Sequence, residues 1–171
     1  MSAHDKSLIA ETSQVVDDAL PIAIRDAEDS DAALWDQYLG TNPAACFYHL
    51  FGWRKIVRES LGLEPIYLIA SNGREVVGVL PLVYLKSRLF GRILCSMPFL
   101  NYGGPCASTD NALKRLTAAA VERAGQLGVD YLELRCAGPL PVELEAATHK
   151  VSMTIALNPD PEVLWNGFKS K

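Results

Sequence analysis

The run from Glu75 to Pro105, EVVGVLPLVYLKSRLFGRILCSMPFLNYGGP, limits what this chain can fold into more than any other stretch. Val76, Val77, Val79, Leu80, Leu82, Val83 and Leu85 form a nearly unbroken apolar series rich in β-branched residues, the pattern of a strand covered on both faces. Such a strand belongs in the middle of a sheet with helices on either side. Lys86-Ser87-Arg88-Leu89-Phe90-Gly91-Arg92 then places three cations in seven residues and reads as a turn. Ile93, Leu94, Cys95 and Met97 carry a second strand to Pro98. Asn101-Tyr102-Gly103-Gly104-Pro105 makes an elbow, whose adjacent glycines remove the Cβ atoms that oppose positive φ or close backbone approach. The elbow either wraps tightly or admits a ligand.

The remaining elements follow from periodicity and punctuation. Residues 1–20 are polar and acidic and read as a loose tail. Pro21 to Arg25 alternates as a short strand, and Asp29-Ser30-Asp31 supplies N-cap chemistry for a helix to about Leu39. Leu50, Trp53, Val57 and Leu61 share one face of a helix predicted from Tyr48 to Leu61, with Arg54, Lys55 and Arg58 on a basic edge away from it. Pro65 to Ala70 is a strand, and Asn72-Gly73 signals a hairpin into the run at Glu75. After the elbow a helix is predicted from Asn111 to Leu127 with Gly128 as its stop, then a strand Tyr131 to Arg135 lying parallel to the sheet. A short helix over 142–147, a strand over 151–157 and a helix from Glu162 to Lys171 complete the expectation. That last helix reads as cut in mid-element, so the domain is expected over 21–158 and a connecting helix over 159–171.

A length of 171 residues with 49% hydrophobic content and net charge −4 fits one domain with a sizeable core. Lys86 and Arg88 interrupt the longest apolar stretch, so no transmembrane segment is expected, and residues 1–20 lack a secretory h-region. Cys46, Cys95, Cys106 and Cys136 form no CxxC pair and read as reduced thiols of a cytoplasmic protein. His4, His49 and His149 lack ligand spacing, so no metal is expected.

The predicted order of strand, two helices, three-strand meander, helix, strand, helix and strand resembles the GNAT-type acyltransferase fold, a mixed α/β class with a central twisted sheet flanked by helices. Phe47-Tyr48-His49-Leu50, Gly52-Trp53-Arg54-Lys55, Gly78-Val79-Leu80-Pro81-Leu82, Lys86 to Gly91, Pro98 to Pro105, and Tyr131 to Arg135 resemble the amino-terminal domain of Fem-type (FemAB-like) aminoacyltransferases, in particular the subgroup associated with PEP-CTERM and exosortase loci. The resemblance implies a first domain of a tandem pair. It also implies an activity: transfer of an aminoacyl group from aminoacyl-tRNA, or of another activated acyl group, to an amine on a peptidoglycan or exopolysaccharide precursor. The implied partners are a nucleotide-linked sugar or polysaccharide precursor, tRNA, and a second GNAT-like domain.

The resemblance puts Lys55 where a lysine holds the acceptor diphosphate, with Trp53 and Arg54 beside it; read from the sequence alone, the favoured account is a solvated basic helix face. Asn101, Tyr102, Gly103 and Gly104 line an acceptor groove or simply shape the sheet edge. Lys86, Arg88 and Arg92 either contact a polyanion or solvate a turn. The Gln/Arg-x-x-Gly-x-Gly/Ala phosphate-binding pattern is missing and Pro105 interrupts the elbow, so no acetyl-CoA and no other cofactor is expected. No Ser/His/Asp or Cys/His set stands out, and Glu133 is expected to face solvent or pair with Arg135. The catalytic residues stay open, and acyl transfer would lean on positioning. Two other classes remain in view: a non-catalytic binding module of the same fold, and an acetyl-CoA-dependent N-acetyltransferase.

Overall fold

Strand β3 (Glu75–Ser87) is the spine of a six-stranded mixed sheet. The structure, a computed structural model, describes residues 21–89, 91–147 and 153–168. β1 (Ile22–Asp26), β2 (Glu64–Asn72), β3, β4 (Gly91–Ser96) and β6 (Tyr131–Glu133) lie side by side in that order, and the two-residue β5 (Cys106–Ala107) pairs with β3 beyond the end of β4. All pairings are antiparallel except β4 with β6, where Ile93–Cys95 run parallel to Tyr131–Glu133.

The apolar content of β3 is used on both faces, as its sequence requires. On one face Tyr67, Ile69, Val79 and Val83 pack under α1 (Ala32–Thr41) and α2 (Trp53–Glu59), around the fully buried Trp35. On the other, Leu68, Leu80, Leu82 and Leu94 pack under α3 (Asp110–Leu127), through Ala112, Leu116, Ala120 and Ala124. A bulge adjusts the second face: Ala70 pairs with Gly78 and Ser71 with Val76, which leaves Val77 as the extra residue, turned toward α3. α3 then lies so close that a Cβ on Gly78 would meet Leu116 Cδ1 at 2.8 Å. Pro81, which has no N–H to give a ladder, falls between Val79, where pairing with β5 ends, and Leu82, where pairing with β4 begins.

Helix ends follow their local chemistry. The Thr109 hydroxyl accepts from the Ala112 amide at 3.2 Å, and Gly128 takes the left-handed conformation at φ 58°. The single helix predicted over 48–61 is divided into a 3-10 turn at Phe47–His49 and a short α2, with Gly52 between them, so Val57 is buried while Leu50 and Leu61 are exposed. The first predicted helix likewise opens with a 3-10 turn at Asp29–Asp31. Residues 142–147 form no helix and the described part of the predicted strand over 151–157 is irregular and exposed. α4 (Pro161–Asn166) is shorter than its prediction; the expected tail, Phe90, His149 and Lys169 to Lys171 lie outside the described residues. Among the described residues no helix is long and apolar enough to cross a membrane, and all four cysteines are free thiols.

Candidate functional site

β4 and β6 end at the same place, and in mixed α/β sheets the carboxyl ends of parallel strands are where ligands are held. There the ladder gives way to side chains: the Arg135 amide donates to Ser96 Oγ at 2.7 Å, while the Arg135 guanidinium donates to Leu100 O at 2.7 Å and to Glu133 Oε1 at 2.9 Å. Glu133 thus pairs with Arg135, one of its two expected positions. Against this crossing lies the elbow. The Gly104 amide donates to Arg135 O at 2.8 Å, and both Gly103 and Gly104 are buried. A Cβ on Gly104 would stand 2.5 Å from Cys136 Sγ, and one on Gly103, at φ +127°, would stand 2.6 Å from Met97 Cγ. Of the two readings of the diglycine, the tight wrap is the one realised. Met97 and Phe99 hold φ 47° and 69°, a region that costs non-glycine residues on the order of 1 kcal/mol each and that gathers at ligand-binding turns.

The outward side of the elbow meets the 3-10 turn at 47–49. α1 fixes that turn: Trp35 Nε1 donates to His49 O at 2.7 Å, and Asp36 Oδ1 accepts from the Phe51 amide at 2.9 Å. Trp35 is itself held by stacking on Tyr67 at 5.1 Å and an edge contact with Phe51 at 5.6 Å. The His49 ring is buried. Its Nδ1 accepts from the Cys46 amide at 3.1 Å and lies 3.2 Å from Cys46 Sγ, so the ring proton sits on Nε2 and is donated to Gly104 O at 3.0 Å. Burial holds the imidazole below its ordinary pKa, and it is neutral at pH 7. Neither Cys46 nor His49 stood out in the sequence, because the partner that orients the ring is 55 positions away. Their i, i+3 spacing is the only local signal.

Around this turn runs a series of aromatic rings. Trp53 meets Phe47 edge-on at 5.4 Å, Phe47 meets Tyr48 at 6.0 Å, and Tyr48 meets Tyr102 at 6.2 Å. Phe47 and Phe99 are 63% and 71% exposed, so much of this apolar edge faces solvent. The structure therefore brings Trp53 and Tyr102, two of the candidates, into one aromatic edge beside Gly103 and Gly104, with Asn101 exposed on the same loop. Lys55, its side chain 76% exposed, reaches only Glu59, at 3.9 Å. Arg54 departs from the predicted basic edge. Its guanidinium pairs with Asp29 at 2.7 Å, donates to Ala27 O at 3.1 Å and lies over the Phe51 ring, while Arg58 reaches Asp29 at 3.1 Å. Lys86, Arg88 and Arg92 are exposed at the other end of β4, and the four residue steps from Arg92 to Ser96 put about 13 Å between them and the elbow. Among the described residues no cluster of His, Cys, Asp and Glu could hold a metal ion.

No protein-family model and no curated protein matches this sequence. Among solved structures, a transcriptional regulator from Bacillus halodurans C-125 matches with TM-score 0.56 at 16% identity, over 79% of this chain and 100% of that one. A GNAT family acetyltransferase from Staphylococcus aureus subsp. aureus USA300_TCH1516 matches with TM-score 0.48 at 12% identity, over 77% and 98%. The fold is GNAT-like. The first likeness is one of fold alone, and the second is too loose to argue from; the order of the elements, with one parallel strand joined through α3 to an antiparallel meander, carries the assignment.

Proposed function

We propose that this chain is an acyltransferase domain of Fem type, the amino-terminal one of a tandem pair. It acts in the cytoplasm and moves an aminoacyl or other activated acyl group onto an amine of a peptidoglycan or exopolysaccharide precursor. The observation that carries this reading is the meeting, at the carboxyl ends of β4 and β6, of the segments on which the resemblance rests: Phe47 to His49, Trp53 and the elbow at 101–104. In this reading the aromatic edge packs against the sugar or base faces of a nucleotide-linked acceptor, and the exposed Lys55 meets its diphosphate as a point charge. Lys86, Arg88 and Arg92 take the acyl-bearing tRNA, and the second GNAT-like domain closes the pocket. Rate comes from positioning the two substrates.

The Gly104 amide, already donated to Arg135 O, supports the expectation that acetyl-CoA is not the donor, since its pyrophosphate needs open amides at an elbow. The closed diglycine favours one other reading, a non-catalytic module that recognises a nucleotide-linked sugar.

Thermal unfolding with candidate ligands tests the proposal. A UDP-linked precursor raises Tm by binding the native state, by about 2.7 kcal/mol of added stability at a hundredfold excess over Kd, and acetyl-CoA does not. The opposite pattern overturns it. Precursor binding without acyl transfer, once the second domain is present, selects the binding module.

A further inference from the structure

The Cys46 and His49 pair is unused by this reading; it closes a capping box on the 3-10 turn, the Cys46 side chain accepting from the His49 amide and the His49 ring from the Cys46 amide, and this sets the thiol beside the imidazole. Cys46 Sγ lies 3.2 Å from His49 Nδ1, the nitrogen that carries no proton. The other ring nitrogen donates to a backbone carbonyl, Gly104 O, at 3.0 Å. Gly104 is itself held by the hydrogen bond from its amide to Arg135 O, so its carbonyl holds the tautomer and orientation of the ring as the third member of a triad does. Cys46 is half-buried beside Phe47 of the aromatic edge, whereas Cys95 and Cys106 are buried, Cys106 within the core under α1 and α2. Burial pushes the thiols of Cys95 and Cys106 up to about 12 and that of Cys136 up to about 11, which leaves those three weak nucleophiles at neutral pH.

We propose that Cys46 is a nucleophilic thiol with His49 as its base, and that it accepts an acyl group from an activated ester or thioester. As Sγ attacks the acyl carbonyl, His49 Nδ1 takes the thiol proton, the new S–C bond forms and the bond to the leaving alcohol or thiol breaks. His49 returns the proton to the leaving oxygen or sulfur. The Cys46 amide, which shared Nδ1 with the thiol, is left beside the charge that develops on sulfur. Attack of an amine on the resulting thioester reverses these steps, forms the amide and restores the thiol, with no change of oxidation state. The inference deepens the acyl-transfer reading and rests on it for the class of donor.

The probe is p-nitrophenyl acetate with the intact chain at neutral pH, read by release of p-nitrophenolate and by peptide mapping of the acetylated residue. The expected result is a stoichiometric burst with the acetyl group on Cys46, faster than on Cys136 by about a hundredfold, the contribution of a positioned base. Cys46→Ser abolishes the burst, and His49→Gln slows it by a similar factor with the circular dichroism spectrum unchanged. Should His49→Gln unfold, the wild-type protein decides: acetylation of Cys46 no faster than on Cys136, or no faster than in urea, overturns the proposal. An acylated Cys46 with no transfer to a UDP-linked precursor overturns the cell-envelope acceptor and keeps the thiol. Transfer by the two-domain protein carrying Cys46→Ala at the wild-type rate overturns the thiol and keeps the acceptor.

Discussion

Acidification should unfold this protein through His49. The ring is buried, neutral and bonded at both nitrogens, and burial holds its pKa below the ordinary 6.5. In the unfolded chain the same imidazole titrates normally, so below about pH 6.5 the unfolded state binds a proton that the native state refuses. The contribution of His49 is therefore full above pH 6.5 and is lost as pH falls below it. One proton sets the ceiling at about 1.4 kcal/mol per pH unit, which for a chain of this size is roughly 3–5 °C in Tm. Asp31 does not share this window. Its hydrogen bond from Arg25 holds its carboxyl below the usual range, so its contribution is lost only as pH falls below about 4. Urea titrations from pH 7.5 to 5.0 read the slope directly, provided m stays constant. His49→Gln should lower stability at pH 7.5 by about 1–3 kcal/mol, through the Cys46 amide and Gly104 carbonyl it leaves mispaired, and should flatten the slope. The argument fails if the variant keeps the wild-type slope, or if acidification stabilises the protein.

Gly104→Ala places a methyl group 2.5 Å from Cys136 Sγ and 3.1 Å from Arg135 O, and should cost about 1–3 kcal/mol in urea while slowing acylation of Cys46. Leu116→Ala, at a fully buried position on the sheet-facing side of α3, should cost about 2–5 kcal/mol. Gly78→Ala should destabilise the wild type by crowding Leu116 but do so less in the Leu116→Ala background, a coupling that a double-mutant cycle in urea measures. Lys55→Ala should leave stability within about 0.5 kcal/mol, given an exposed pair with Glu59 at 3.9 Å, and should weaken binding of a UDP-linked precursor in a titration.

The sheet was legible because its signals are local. The two-sided apolar run at 76–85, the Asn72-Gly73 hairpin, and Gly128 at the end of α3 each name their structure within a few residues. The helix predicted over 48–61 was misread because its apolar spacing is real but its first turn is taken from it. Trp35 and Asp36, on another helix, bind His49 and Phe51 and hold the chain in a 3-10 turn. Arg54 left the basic edge for the same reason, drawn inward by Asp29 and the Phe51 ring. The diglycine was recognised, yet whether it opens or closes depends on Met97, Arg135 and Cys136, none of them its neighbours in sequence.

The bond between His49 and Gly104 ties together two loops 55 residues apart, while β2, β3 and β4 are joined in sequence as hairpins. Short-range hairpins close early in folding, and a contact of long separation closes after them. An opening that parts the two loops can thus leave the meander intact, and amide exchange at Gly104 would report it well before global unfolding. Such an excursion frees the imidazole to rotate away from the cysteine, which makes the lifetime of one long-range contact the timer on how long the thiol stays armed.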